Sequence, residues 1–261
     1  QYTNEEEFID INEDIRELAT EIVEGETDLY VAVFKIGDWI NKNIEYDLST
    51  LTANVVQRSS WVLDNKQGVC DEITNLFISM LRSLNIPARF IGGVVYTNVG
   101  DYFGNHGWAE VYLEGHGWVP FDVTFGQYGW IDPSHIKLSS TIDSGEPAVE
   151  YSWRSRGIDL EPKELKIETT VKKTEGRVTP YTILNIKPLE DKVKFGSYVP
   201  LEVSVKNVNP FYVPLTLLIT KSPNLLEDNN KEILLKPNEE KKVFWTLEIG
   251  NKFNSKYIYT S

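Results

Sequence analysis

Gln67-Gly68-Val69-Cys70-Asp71-Glu72 is the stretch on which the reading of this chain turns. It is a glycine-bearing turn that delivers the only cysteine of the protein into a helix. From there the apolar residues fall at Ile73, Leu76, Phe77, Met80, Leu81 and Leu84. That spacing predicts a helix packed along one side. Extended backwards, the stripe reaches Cys70 and places its thiol in the first turn, on the inward face. Unpaired N–H groups and partial positive charge at a helix start favour a thiolate, and the thiolate is the nucleophilic form. Against this, a single cysteine on an apolar stripe more often packs as a small residue than reacts.

The chain has 261 residues, 41% of them hydrophobic and 12% aromatic, which is enough for one large or two modest domains with their own cores. No apolar run is long enough to span a membrane. Beginning at Gln1 without a signal-peptide pattern, the sequence reads as a processed or excised piece, with room for an anchor outside it. A net charge of −13 excludes a nucleic-acid footprint. The charge is uneven: residues 1–165 hold 11 Lys+Arg against 28 Asp+Glu, and residues 166–261 hold 15 against 11. The change of sign marks two expected domains, 1–165 and 166–261.

Along the first domain, the residues from 4 to 28 read as an acidic amphipathic helix, and a second helix is expected from about Asp28 to Tyr46. A loop follows from Asp47, then a short helix over Trp61–Asn65 capped by Ser59 or Ser60. After the cysteine helix, Phe90–Tyr96 reads as a buried strand, 97–105 as a loop, and His106–Leu113 and Trp118–Thr124 as a hairpin. Residues 126–135 read as loop and 139–165 as a linker. Beyond Leu165 the helical period gives way to short β-rich runs over 166–173, 182–186, 199–206, 213–220, 233–235, 242–249 and 257–260. These predict an all-β sandwich whose last strand the chain end cuts into.

A cysteine nucleophile needs a base and a group to orient it. Of the three histidines, His116 lies in a turn and His135 follows Asp-Pro-Ser in a loop, so both read as solvent-facing. His106 starts a strand after a glycine-bearing loop, where an imidazole can project into a cleft. Asp122 lies on the returning strand, and parity tests whether the two share a face. A three-residue loop, 114–116, gives opposed residues a sum of 230. Asp122 then faces Trp108, with His106 as its diagonal neighbour. A four-residue loop separates them. Trp61, Trp108 and Trp118 read either as groove lining or as core. Metal-ligand spacing of the Cys-x-x-Cys or His-x-x-x-His kind is absent, so neither metal nor cofactor is expected.

Taken in order, Gly68-Val69-Cys70, Asn105-His106-Gly107-Trp108-Ala109-Glu110 and Trp118-Val119-Pro120-Phe121-Asp122-Val123-Thr124 resemble the transglutaminase-like superfamily, whose usual signature is Gly-x-Cys, His-Ala-Trp-x-Glu and Trp-x-x-x-Asp-x-Thr. The likeness spans about residues 28–138, with Gly107 where the family often has alanine. It implies an α+β papain-like core, here followed by an immunoglobulin-like sandwich. By position Cys70 would be nucleophile, His106 general base and acid, and Asp122 the orienter of the imidazole. The Cys70 N–H would form part of the oxyanion hole, with Gln67 as second donor and Gln57 and Trp61 as rivals. The resemblance points to the microbial and archaeal branch, often exported or membrane-anchored. The expected chemistry is hydrolysis of a peptide or isopeptide amide through a thioester. Acyl transfer to an amine, or a binding module without turnover, are the alternatives. The expected partner is a protein or peptide substrate, with the location extracellular or membrane-anchored rather than cytoplasmic.

Overall fold

The computed structural model describes residues 1–50, 56–97, 102–146, 180–222 and 224–250, together with residues 154, 156, 157, 169–173 and 175. The chain divides into two compact units, Gln1–Lys173 and Thr174–Ser261.

The first unit opens with α1 (Glu13–Ile22), capped by Asn12, and α2 (Leu29–Asn43), capped by Asp28. In each, the cap side chain accepts an N–H of the first turn. Next come β1 (Glu45–Tyr46), a short 3-10 turn over Leu48–Thr50, α3 (Ser59–Asn65), β2 (Gln67–Gly68) and α4 (Cys70–Ser83). The sheet follows as β3 (Ala88–Thr97), β4 (Tyr102–Leu113), β5 (Gly117–Asp122), β6 (Gln127–Tyr128) and β7 (His135–Thr141). These strands lie in the order β6-β5-β4-β3-β7 with antiparallel neighbours. α4 packs on β3 and β4 on one side and on α1, α2 and α3 on the other.

The acidic helix expected from residue 4 begins only at Glu13. Residues 4–12 instead run as irregular chain, and they cover the polar flank of α4. Apolar periodicity alone predicted a helix with one buried side, yet every residue from Glu72 to Arg82 is buried. The polar ones are matched individually. Ser79 Oγ donates to the Asp10 carbonyl at 2.5 Å, and Asn75 Nδ2 donates to Ser144 Oγ at 2.5 Å. Arg82 donates to the carbonyls of Ala88, Asn4 and Ile142. Burial pulls the Arg82 pKa down to about 10, still well charged at neutral pH.

Other expectations shift as well. Arg58, not Ser59 or Ser60, precedes α3; Ser59 Oγ donates to the Phe8 carbonyl instead. Residues 102–105 belong to β4 rather than to a loop, Gln127–Tyr128 form β6, and β7 claims residues 135–141. Asp143, within the expected linker, is buried and accepts the Phe8 N–H.

The second unit has one sheet ordered β12-β9-β8, made of β8 (Thr182–Pro188), β9 (Tyr198–Asn207) and β12 (Glu240–Glu248). A second sheet pairs β10 (Val213–Leu218) with β11 (Asn230–Leu235). Val203, Val205 and Trp245 from the first meet Leu217 and Leu235 from the second in one apolar cluster. Residues 169–173, the described part of the run expected over 166–173, carry no strand. Residues 166–168 and the expected strand at 257–260 lie outside the described residues.

Because Arg82 satisfies carbonyls from three separate segments, Arg82→Ala is expected to destabilise the chain by about 3 kcal/mol or more. Urea unfolding at fixed pH measures this, and Arg82→Lys, which keeps the charge but not the fork, should recover only part of the loss.

Candidate active site

Cys70 is the first residue of α4, half-buried, at the end of the helix that carries free N–H groups. The turn before it is pinned from both sides. β2 pairs in parallel with β1, setting Tyr46 beside Gly68. The buried Glu72 carboxylate accepts the N–H of Val69 and that of Gln57, each at 3.0 Å. Val69 offers no side-chain acceptor, so this is the Glu half of a capping box without its Ser or Thr.

The hairpin closes as Leu113↔Gly117, Tyr112↔Trp118, Val111↔Val119, Glu110↔Pro120 and Ala109↔Phe121, so the sum of 230 is observed. Continued by one residue, that register sets Asp122 opposite Trp108, on the face that carries His106. The side chains then meet: His106 Nε2 lies 2.7 Å from Asp122 Oδ2. With Nε2 so engaged, the ring's Nδ1 is the nitrogen left for a thiol, and Cys70 is near enough to raise the His106 pKa. The structure thus joins His106 to Asp122 and places Cys70 in their neighbourhood.

His135 is where sequence reasoning failed. Its side chain is fully buried, and its Nε2 lies 3.0 Å from the same Asp122 Oδ2. The cause is a β-bulge. β7 pairs with β3 as Gly92↔Ser139 and then Gly93↔Lys137, leaving Leu138 without a partner. The extra residue reverses the parity of everything before it in β7. His135 is thereby opposite Val95, on the same face as Gly93 and its other partner, His106. Gly93 lies between the two histidine strands. A methyl group there would come within 2.3 Å of the Ile136 carbonyl and 2.6 Å of the Trp108 ring, so the backbone there must be bare. His116, by contrast, is exposed in its turn.

Trp108 is the one of the three expected tryptophans that borders the site. It is buried, stacked 6.1 Å from His106 and edge-on 5.2 Å from His135. Trp118 packs under Arg89, and Trp61 lies against the core. Phe125 also stacks on His106, at 4.7 Å. Gly107 departs from the alanine of the family pattern because Phe90 occupies the space: a Cβ there would lie 2.5 Å from the Phe90 ring. Among the described residues the Gln67 amide makes no hydrogen bond. Tyr46, which sequence reasoning passed over, lies near enough to Cys70 to feel its charge. Only the two-residue pairing of β1 with β2 puts it there, and that pairing has no local sequence signal.

The charges follow from these contacts. Burial by itself pulls the His106 pKa down, but the bonds to Asp122 and Cys70 more than reverse it, to about 9. Burial works against the Asp122 carboxylate, yet His106 and His135 hold it below its ordinary value. His135 is likewise raised, against burial, by Asp122 and Asp132. Burial, then the neighbouring Cys70, pushes Tyr46 up to about 12, so its hydroxyl stays a donor. The ligand atoms of His106, Asp122 and His135 lie within 4.8 Å of one another, and such a set is able to hold a metal ion. A metal needs a bare lone pair on each nitrogen. Here both Nε2 atoms point at one carboxylate oxygen at hydrogen-bond distance, and both rings favour the protonated form.

Residues 16–123 match the Transglutaminase-like superfamily profile. The chain is 28% identical to YebA of Bacillus subtilis over 149 residues, covering 51% of this chain and 20% of that protein. It is 30% identical to a protein of Haemophilus influenzae over 132 residues, covering 41% of this chain and 35% of that one. The chain therefore spans about a third or less of the length of either relative. A candidate cysteine protease from Cytophaga hutchinsonii is similar in structure, with a TM-score of 0.46, 24% identity, and coverage of 55% of this chain and 46% of that one. Among the described residues no helix is long and apolar enough to cross a membrane.

The raised His106 pKa has a stability consequence. A group raised from 6.5 to about 9 contributes fully below pH 6.5, and the contribution is lost as pH rises through 9. Unfolding free energy is therefore expected to fall by about 2–3 kcal/mol over that window. Asp122→Asn should flatten the fall; urea titrations of both proteins at several pH values measure it.

Proposed function

Residues 16–123 belong to the transglutaminase-like superfamily, and on that footing we propose that the protein is a cysteine-nucleophile hydrolase of peptide or isopeptide amides. The observation that carries this reading is the buried 2.7 Å contact between His106 and Asp122, with the half-buried Cys70 near enough to raise the His106 pKa. Such an arrangement supports an ion pair of thiolate and imidazolium. Cys70 Sγ attacks the amide carbonyl carbon, forming a C–S bond. The Cys70 N–H at the helix start donates to the developing oxyanion, with Gln67 retained as a proposed second donor. His106 then gives its proton to the leaving nitrogen as the C–N bond breaks. Water, deprotonated by His106, attacks the thioester, and the thiolate departs.

Phe125, stacked on His106 and 49% exposed, forms one wall of the approach to the thiol. The acidic balance of the first unit favours basic substrates by long-range steering. The second unit, with its two small sheets, we read as an immunoglobulin-like accessory module that presents or binds rather than reacts. An extracellular or membrane-anchored setting fits this reading.

Cys70 is expected to react with iodoacetamide at pH 7 at least tenfold faster than free cysteine. His106→Ala should return it to the free-thiol rate, and a rate no faster than free cysteine in the unsubstituted protein would sink the proposal. Fluorescently labelled casein and a fluorescent primary amine, offered together, separate the two fates of the thioester. Cleavage that Cys70→Ala abolishes supports hydrolysis. Amine incorporation without cleavage would replace it with acyl transfer.

A further inference from the structure

The chemistry above uses three side chains of the buried cluster and leaves His135 without a task. We propose that His135 is a positioning residue which, as an imidazolium held between Asp122 and Asp132, fixes the Asp122 carboxylate and sets the pH range over which His106 keeps its proton. The inference rests on the reading of Cys70, His106 and Asp122 as the reacting set.

Consider first the carboxylate. Asp122 Oδ2 receives both imidazole Nε2 atoms, at 2.7 and 3.0 Å, and Oδ1 receives the N–H groups of Thr124 and Phe125, at 2.9 and 3.1 Å. A carboxylate has about four lone-pair sites, so all are occupied. It has no free position from which to rotate or to pick up a proton. His135 supplies one of the four, from the strand on the far side of β3.

The ring itself identifies its protonation state. His135 Nδ1 faces the Asp132 carbonyl at 3.2 Å and Asp132 Oδ1 at 3.3 Å, while Nε2 faces Asp122. Every partner is an acceptor. A neutral imidazole has one N–H and would turn a lone pair toward the other acceptor. Only the doubly protonated ring satisfies both sides. Asp132 is itself fixed by Gln127, which donates at 2.6 Å and accepts the Asp132 N–H at 2.8 Å, and by the Ser134 N–H at 2.7 Å.

The consequence for His106 is electrostatic. The groups that act on it are Asp122 from β5, Cys70 and Asp71 from α4 and His135 from β7, while Tyr46 from β1 lies near Cys70, Asp71 and Asp122. Asp122 and a Cys70 thiolate favour its charged form. His135, with ring centroids 5.6 Å apart, carries like charge and opposes it. Without that opposition His106 would hold its proton more firmly and release it to a leaving amine less readily. The bulge at Leu138, which turns His135 inward, is the device that places this counterweight.

Three histidines in the chain make the test direct. Their imidazole resonances are followed by NMR against pH, with His116→Gln assigning the exposed one. In the unsubstituted protein His106 and His135 are expected to titrate as a coupled pair, each resonance reporting both inflections. In His135→Gln, which keeps an N–H for Asp122 but no charge, His106 should titrate higher by on the order of one pH unit. The alkaline limb of Cys70 alkylation by iodoacetamide should move by the same amount. Independent single inflections in the unsubstituted protein overturn the proposal. So does a His106 midpoint that stays or falls in a folded His135→Gln. Stoichiometric Zn²⁺ uptake abolished by His135→Gln would make the cluster a metal centre and overturn it as well. Coupled imidazoles in a protein whose Cys70 neither outpaces free cysteine nor cleaves labelled casein would uphold the coupling and remove the catalytic reading instead.

Discussion

A carboxylate shut away from water has to be compensated where it stands, and Asp122 sets that requirement for the whole first unit. Its side chain is fully buried, and a buried charge missing one of its partners costs several kcal/mol. Its donors come from three places: the turn at Thr124–Phe125, the adjacent strand β4 and the distant strand β7. Each must be in register at once. A slip of one residue in either ladder would carry a histidine to the opposite face and leave the charge uncovered. The hairpin register and the bulge are thus parts of one electrostatic arrangement.

A comparable demand governs α4. A helix buried on all sides has no solvent to receive its polar side chains, so Glu72, Asn75, Ser79 and Arg82 each meet a named partner. Apart from Ala88, at the start of β3, those partners lie outside the regular elements. The carbonyls of Asn4, Asp10 and Ile142 are free to accept because no ladder or helix has used them. The irregular strap over residues 4–12 is therefore matched to the helix through its carbonyls, and the helix is fixed in rotation about its own axis. Fixing that rotation also fixes where Cys70 points.

How much of this was legible depended on how local the cause was. The start of α2 near Asp28, the cysteine helix and the 113–117 hairpin turn are written in residues a few positions apart, and each was readable. The pairing of His106 with Asp122 was readable as arithmetic on a short loop. In the second unit the strands near 182, 199, 213, 233 and 242 were marked by β-rich runs between turn residues. What escaped depended on distant segments. His135 turns inward because of one unpaired residue in β7 against β3, strands some forty positions apart. Tyr46 is brought near Cys70 by a two-residue parallel bridge. Residues 4–12 read as helix because their isoleucines recur at helical spacing, but burial against α4, Arg82 included, overrode that pattern.

The strap also imposes an order of events. Arg82 is satisfied only when carbonyls from Asn4, near the start of the chain, and Ile142, near the far end of the first unit, both arrive. During synthesis the first segment leaves the ribosome well before either α4 or residue 142 exists. Contacts so far apart in sequence form late, because the loop between them must close first. The orientation of α4 that aims the thiol is thus completed only after most of the unit has been made. A nascent chain thus carries the cysteine before the contacts that orient its helix can form.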